Sequence, residues 1–240
     1  MQTFESKCST LMGSRRGPGP RPTDGRASTC GRKVRHGPCA AWVSAIVIVF
    51  GLAALPMRSA AQGGWPLAWG DSTFGQVGDG SAAARITPVQ CLMRTTQSVA
   101  VGGYHSLALK TDGTVWAWGN DNYGQLGDGS NVDRNVPVMV AGLNGIVTVA
   151  AGDFHSLALK PDGTVWAWGS NYFGQLGNGN TTDQSSPVAV SGLTDVVAIA
   201  AGYNHSLAVK SDGTVWAWGN NDYGQLGDGT TTSRTTPVMV

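Results

Sequence analysis

Three histidines recur at a fixed interval and are the first residues here that could do chemistry. His105, His155 and His205 lie 50 residues apart, and each is followed directly by a serine. Imidazole nitrogens are common zinc ligands, and a histidine that accepts the proton of a serine hydroxyl turns that hydroxyl into a nucleophile. Which of these roles is open depends on the elements that carry the three side chains.

The interval of 50 residues extends well beyond the histidines. Tryptophan pairs recur with it, at Trp116 and Trp118, Trp166 and Trp168, and Trp216 and Trp218. A sequence period of this length indicates a repeat architecture in which each copy is one supersecondary unit. Each copy contains four short strand-like stretches, and no helical periodicity appears after residue 62. In the second copy the predicted strands are 137–140, 146–151, 155–160 and 164–169.

The last two strands of each copy form a predicted hairpin with two different faces. Asp162 and Gly163 join these strands in the second copy, and an Asp-Gly pair favours a two-residue type I′ turn. Alternation places Leu157 on a small or aliphatic face, and Trp166 and Trp168 together on an indole-rich face. Sheets of this kind can stack indole face against aliphatic face. We therefore predict an all-β fold, a β-propeller of four-stranded antiparallel blades.

The amino-acid sequence of the repeats resembles that of a known family. The stretches "VAAGDFHSLAL" (149–159), "IAAGYNHSLAV" (199–209) and "GQLGDG" (124–129) are similar to the repeats of the regulator-of-chromosome-condensation (RCC1) family. The first copy, "VAVGGYHSLAL", departs from the family pattern by placing Val101 where a small residue is usual. The resemblance covers residues 65–240 and implies a seven-bladed propeller. Some secreted bacterial members of this fold inhibit β-lactamases, whereas intracellular members promote guanine-nucleotide exchange and bind chromatin.

The repeats in this chain do not add up to seven blades. A partial repeat at about 65–88 precedes three repeats of 50 residues, and the closing "TPVMV" (236–240) matches the first strand of a further unit. We expect an incomplete arc of about three and a half blades that ends within a blade. Closing the ring would require missing blades or a partner chain, and two copies of this chain do not make seven blades.

The propeller prediction assigns structural roles to the repeated histidines and tryptophans. Equivalent positions on different blades are spread around a ring, so His105, His155 and His205 are not expected to share a metal ion. We predict that each histidine forms a hydrogen bond within its own blade and that the six repeated tryptophans pack between blades. Adjacent His and Ser residues point to opposite faces of a strand, which argues against a catalytic pair. We therefore predict no catalytic, cofactor or metal site.

The positions that change between the copies are the better candidates for function. They fall in predicted loops and carry the mixture of Tyr, Phe, Asn, Asp and Arg that is common in protein-binding surfaces. The candidate binding residues are Tyr104, Asp121, Tyr123, Arg134, Asp153, Phe154, Tyr172, Phe173, Tyr203, Asn204, Asp222, Tyr223 and Arg234.

The first 61 residues differ from the repeats in composition and charge. Residues 1–39 form a basic Gly/Pro/Arg-rich stretch that is predicted to be disordered, and one interpretation of this leader is a start codon assigned too far upstream. Residues 40–57 are uncharged and are followed by "RSAA", which predicts an export signal cleaved after Ala61. The alternative is a single-pass membrane anchor, since eighteen apolar residues approach the length that spans a bilayer.

The net charge of the repeat region bears on which partners this protein can bind. Residues 1–61 carry nine basic and two acidic residues, a net charge of +7, whereas residues 62–240 carry seven basic residues and thirteen Asp, a net charge of −6. An acidic repeat domain is a poor nucleic-acid binder. We therefore predict a secreted, periplasmic or cell-surface module that binds an unidentified protein through its loops. The alternatives are a nucleotide-exchange and chromatin regulator, or a propeller enzyme.

Overall fold

Every element of the described chain is a β-strand. The computed structural model describes residues 46–48 and 65–240, so the predicted leader and most of the predicted export signal lie outside the described residues. In that part of the chain no helix is long and apolar enough to cross a membrane. The strands are β1 (Ile46–Ile48), β2 (Leu67–Gly70), β3 (Arg85–Gln90), β4 (Thr96–Val101), β5 (His105–Lys110), β6 (Val115–Gly119), β7 (Arg134–Met139), β8 (Thr148–Ala151), β9 (His155–Leu159), β10 (Val165–Gly169), β11 (Gln184–Ala189), β12 (Val196–Ala201), β13 (His205–Lys210), β14 (Val215–Gly219) and β15 (Arg234–Met239).

The strands form successive antiparallel sheets that follow the repeat. β4–β7, β8–β11 and β12–β15 each make a four-stranded meander in which sequence neighbours are paired, and β1–β3 make a three-stranded sheet before them. The predicted all-β fold and the incomplete propeller arc are confirmed. We call each four-stranded meander a blade and number its strands one to four in chain order.

Strand pairing corrects the predicted division of the repeat. The "PVMV" stretch belongs to β7, which pairs with the preceding strand β6 through Val138 opposite Ala117 and Met139 opposite Trp116. It is therefore the last strand of its own blade and not the first strand of the next. The prediction that the chain ends within a blade is wrong for the same reason, because β15 is the fourth strand of its sheet. A repeat can be divided at any residue, and only the hydrogen bonds show where a sheet begins.

The hairpin between the second and third strands also differs from the prediction. Lys160 N–H donates to Thr164 O at 3.0 Å and Gly163 N–H donates to Lys160 O at 3.1 Å, which leaves three residues in the loop. Gly163 has a φ of +78°, whereas Asp162 is absent from the described non-glycine residues with positive φ. The loop is thus a type I turn followed by a left-handed glycine, and the predicted type I′ turn is wrong. Asp162 Oδ1 instead accepts the Thr164 N–H at 3.0 Å.

Blades pack by placing the indole face of one sheet on the aliphatic face of the sheet before it. Trp168 and Ala158 of the β8–β11 blade lie in one buried cluster with Leu107, Leu109 and Val115 of the β4–β7 blade. The same arrangement repeats one blade later, where Trp218 and Ala208 pack on the leucines of β9. The predicted stacking is therefore found at both junctions between complete blades.

This packing leaves no room for a side chain at the glycine beside the indole. Gly127 has a φ of +70°, and a Cβ at this residue would lie 2.7 Å from Trp168 Nε1. Gly142 has a nearly identical φ of +67° with no atom within 4 Å of such a Cβ. Gly142→Ala should therefore lose only the ~1–2 kcal/mol of the left-handed backbone. Gly127→Ala should lose about 1–3 kcal/mol more through overpacking.

Urea unfolding of the two glycine variants, followed by tryptophan fluorescence, measures this difference directly. Equal destabilisation of the two variants would show that the indole junction tolerates expansion and would contradict the packing argument.

Candidate functional site: the loop face

The two ends of each blade carry different kinds of connection. At one end lie the turn between the first and second strands and the long loop between the third and fourth strands; we call this end the loop face. At the other end lie the Asp-Gly hairpin and the connection to the next blade; we call this end the hairpin face. The segments of the loop face are 71–84, 102–104, 120–133, 152–154, 170–183, 202–204 and 220–233. All thirteen candidate binding residues lie in these segments or at the first residue of the strand that follows.

The three repeated histidines lie at this end of the blades, where His105 and His155 connect one blade to the next. His105 Nε2 lies 2.9 Å from Ser156 Oγ of the following blade, and His155 Nε2 lies 2.9 Å from Ser206 Oγ. The hydrogen bond predicted within one blade is therefore formed between blades. His105 and His155 do contact a serine, but in each case the serine is 51 residues further along the chain.

The direction of these hydrogen bonds excludes activation of the serine by the histidine. Ser156 Oγ donates its proton to Gln125 O at 2.9 Å, so it can only accept from His105 Nε2–H. Burial lowers the pKa of His105 to about 4 and that of His155 to about 3, so both rings are neutral near pH 7. A neutral ring with its proton on Nε2 cannot take the proton of the serine that it faces. The contact is a structural link.

The buried tryptophans complete the same link. Trp118, Trp168 and Trp218 are fully buried, and their Nε1 groups donate to the carbonyl oxygens of Gln76, Gln125 and Gln175 at 2.8–2.9 Å. The other three of the six repeated tryptophans lie nearer the hairpin face and are partly exposed. Trp116 and Trp216 donate to Thr114 and Thr214 Oγ1 of their own blades, and Trp166 Nε1 is buried without a partner.

A row of aromatic rings runs across the loop face from blade to blade. Tyr104 stacks on Phe154 with centroids 5.4 Å apart, and Phe154 meets Tyr203 edge to face at 6.4 Å. Phe74 extends the row at the other end, 5.6 Å from Tyr104. Each ring comes from the same turn of a different blade, except Phe74, which occupies the position of Tyr123 in the partial repeat. Repeat alignment could have found Phe74, which the sequence prediction missed.

Three shallow cavities flank this row, and tyrosines of the long loops form their walls. Cavities of about 380, 280 and 430 Å³ follow one another across the blades. The first contains Tyr104 and Tyr123, the second Tyr172 and Phe173, and the third Asn204, Asp222 and Tyr223. The structure therefore brings most of the aromatic candidates together. Tyr172, Tyr203 and Tyr223 are the most open, with 76%, 65% and 93% of their surface exposed.

Three of the charged candidates are turned into the loops instead. Arg134 binds Asp128 at 2.8 Å and Arg234 binds Asp228 at 2.6 Å, each closing its own long loop. Asp121 is buried and accepts the Leu126 N–H at 2.9 Å and the Val132 N–H at 3.2 Å. These residues shape the loop face and do not present their charge on it. Asp153 is half-buried, and burial raises the pKa of its carboxyl.

No cluster of three or more metal-ligating side chains occurs among residues 65–240 or the other described positions.

The described strands thus form an arc of β-propeller blades that are linked by repeated His, Ser, Gln and Trp contacts, with an aromatic surface at one end. The family description "RCC1-like domain" matches residues 53–240, and the chain belongs to this family. No curated protein sequence matches the chain.

Solved structures share the fold. Human WBSCR16 aligns with a TM-score of 0.65 and 28% identity over 73% of this chain and 48% of its own. Yeast RCC1 (Prp20) in complex with Kap60 aligns with a TM-score of 0.65 and 23% identity over 73% of this chain and 44% of its own. A second structure, of Prp20p from Saccharomyces cerevisiae, aligns with a TM-score of 0.63 and 24% identity over 74% of this chain and 46% of its own. The chain spans less than half the length of each of these proteins.

Asp121 gives a prediction for the pH dependence of stability. Burial raises its pKa to about 6, and Asn171 and Asn221 occupy the same place in the next two blades. The folded state holds this proton more tightly than the unfolded chain, so the contribution of Asp121 to stability is lost as the pH rises from about 4 to about 6. Asp121→Asn should therefore raise the free energy of unfolding at pH 7.5, by about 1–2 kcal/mol after its hydrogen bonds are allowed for.

The matched control is the reverse change, Asn171→Asp, which should lower stability at both pH values because the Asn171 Nδ2 donates to Asn180 O and Thr182 O. It should lower stability further at pH 7.5, where the buried carboxylate is charged. Urea midpoints of the wild type and both variants at the two pH values test the pair. An Asp121→Asn variant that gains nothing between pH 4 and pH 7.5 would show that this carboxylate is not penalised by burial.

Proposed function

We propose that this protein is an exported, non-catalytic interaction module that binds another protein through its loop face. The observation that carries the proposal is the continuous aromatic row from Phe74 to Tyr203 with exposed tyrosines beside it. Tyrosine combines a large apolar area with a hydroxyl and loses little conformational entropy, so it is enriched in protein-binding surfaces. The face lies at one end of a rigid stack of sheets, where loops vary while the scaffold is kept.

The yeast relative with this fold binds proteins. The yeast protein was solved in complex with Kap60, and Prp20p was described with its binding to Gsp1p and histones. These facts support a protein partner here in general terms. This chain is 23–28% identical to the solved relatives and covers less than half of each, so the identity of the partner does not carry over.

The alternative of nucleotide exchange with chromatin binding draws on the same relatives. The net charge of −6 over residues 62–240 argues against contact with a phosphate backbone. An enzyme is the weaker alternative, because the Ser–His contacts have the wrong hydrogen-bond direction for catalysis. Export rests on the uncharged segment 40–57 with the small residues behind it.

Closure of the ring is also part of the proposal. Val215 in the last blade is 39% exposed, whereas its equivalents Val115 and Val165 are buried under the next blade. We propose that another blade of the same repeat, from this chain or a partner chain, covers that face.

Site-specific photo-crosslinking tests the proposed binding surface. A benzophenone amino acid placed at Tyr172 or Tyr223 should crosslink one protein partner, because both positions are exposed on the loop face. The same group at Thr111 or Ser211, which are exposed on the hairpin face, is the matched control and should give no such product. Mass spectrometry identifies the product, and the purified partner is then titrated against the wild type. Crosslinks from the hairpin face alone would contradict the proposal.

Export is tested by expressing the full chain with a C-terminal tag and sequencing the N-terminus of the exported protein. Cleavage after Ala61 should leave Gln62 as the first residue. An exported or membrane-bound product that keeps residues 40–57 would favour the anchor, and retention in the cytoplasm would contradict export.

A further inference from the structure

The net charge of the repeat domain is concentrated at one end of the blades. The loop face carries nine Asp and three Arg, whereas the hairpin face carries four Asp with Arg94 and three Lys. The hairpin face is therefore neutral, and the whole charge of −6 lies on the face with the aromatic row. The acidic residues of the loop face are Asp71, Asp79, Asp121, Asp128, Asp133, Asp153, Asp183, Asp222 and Asp228.

The basic residues of the loop face are already engaged with carboxylates of their own loops. Arg85 binds Asp79, and Arg134 and Arg234 make the same contact with Asp128 and Asp228. Among the other carboxylates, four are exposed to solvent. These four are Asp71, Asp133, Asp183 and Asp222. Asp183 and Asp222 line the cavities beside the aromatic row, and no arginine of those three pairs neutralises their charge.

The hairpin face shows how this chain pairs rings with cations. Lys110 lies 5.3 Å above the Trp116 ring, Lys160 lies 4.6 Å above Trp166, and Lys210 lies 5.7 Å above Trp216. A cation over an aromatic face is attracted by the ring quadrupole. On the loop face the three arginines bind carboxylates of their own loops. The facing sides of the stacked Tyr104 and Phe154 rings cover each other, so a ligand's basic side chain would contact this pair through its aliphatic stem and not through a cation over the ring face.

The spacing of the rings limits the shape of that ligand. Successive centroids from Phe74 through Tyr104 and Phe154 to Tyr203 are 5.6, 5.4 and 6.4 Å apart. An extended chain rises about 3.3 Å per residue, so side chains on one of its faces recur about every 6.6 Å. Basic side chains at alternate positions of an extended segment would therefore meet successive rings.

We propose that the loop face binds an extended segment of a protein that carries Arg or Lys at alternate positions. The aromatic row contacts the basic side chains, and the exposed Asp residues beside it supply charge complementarity. This inference rests on the proposed function and specifies the chemistry of the partner. The occupant is a basic protein segment, since a nucleic acid would meet like charge here.

Synthetic peptides test the inference on the purified full chain. Fluorescence anisotropy compares a peptide of alternating Arg and Gly, a peptide of the same composition with the Arg residues in one block, and an alternating Asp-Gly peptide. The alternating Arg peptide should bind at least several-fold more tightly than the blocked one, and more weakly at 300 mM than at 50 mM NaCl. The Asp peptide should not bind. Equal affinity for the two Arg peptides would overturn the spacing argument.

Matched charge variants locate the binding site. Asp183→Asn with Asp222→Asn removes two carboxylates from the loop face, and Asp112→Asn with Asp162→Asn removes two exposed ones from the hairpin face. The first pair should weaken the affinity for the alternating Arg peptide roughly five- to tenfold, and Tyr203→Ala should do the same. The second pair should change this affinity less than twofold. Melting temperatures close to that of the wild type show that the variants remain folded. Equal weakening by the two pairs would overturn the assignment.

The crosslinking experiment separates this inference from the proposed function. A loop-face partner without an alternating basic segment, together with no peptide binding, would refute the inference and leave the protein-binding function in place. Crosslinks confined to the hairpin face would refute both.

Discussion

Three backbone carbonyl groups hold the stack of blades together. Gln76, Gln125 and Gln175 each accept a serine hydroxyl and an indole N–H from the blade that follows, at 2.8–3.0 Å. Buried polar groups are costly unless they are paired, so these donors fix the distance and the register between sheets. At Ser156 and Ser206 the histidine of the preceding blade, His105 or His155, donates to the same serine and joins the set. Hydrophobic contact alone would allow the sheets to slide, whereas this arrangement does not.

The link explains which residues vary between copies and which do not. A change at Ser156, Trp168 or the glycine beside the indole would leave a buried donor unpaired or force the sheets apart. The tips of the loops carry no such constraint, because their backbone is held from within. Gln125 Oε1 accepts the Tyr123 N–H at 2.9 Å, and Arg134 binds Asp128 in the same loop. Each loop thus keeps its shape while its exposed side chains are free to differ.

The two ends of the blades differ in net charge and in the exposure of their aromatic rings. The hairpin face is electrically neutral, and its lysines cover its own tryptophans. The loop face has an uncompensated negative charge and a row of aromatic rings. Aromatic area contributes affinity and surface charge contributes rate and selectivity in protein association. The proposed binding surface combines the two.

Features that depend on local periodicity could be predicted from the sequence. The all-β class, the propeller repeat, the two unlike faces of each hairpin and the burial of Trp168 all follow from alternation within strands and from the interval of 50 residues. Features that depend on how equivalent positions meet could not. The His105–Ser156 bond joins residues 51 positions apart. Two further features depend on hydrogen bonds that cannot be read from the amino-acid sequence. These are the assignment of "PVMV" to the last strand of a blade, and the inward orientation of Asp121 and Arg134. The alternation of side chains along a strand shows which residues share a face. Which strands become neighbours, and at which end of the stack each charge lies, is decided only when the sheets pair and pack.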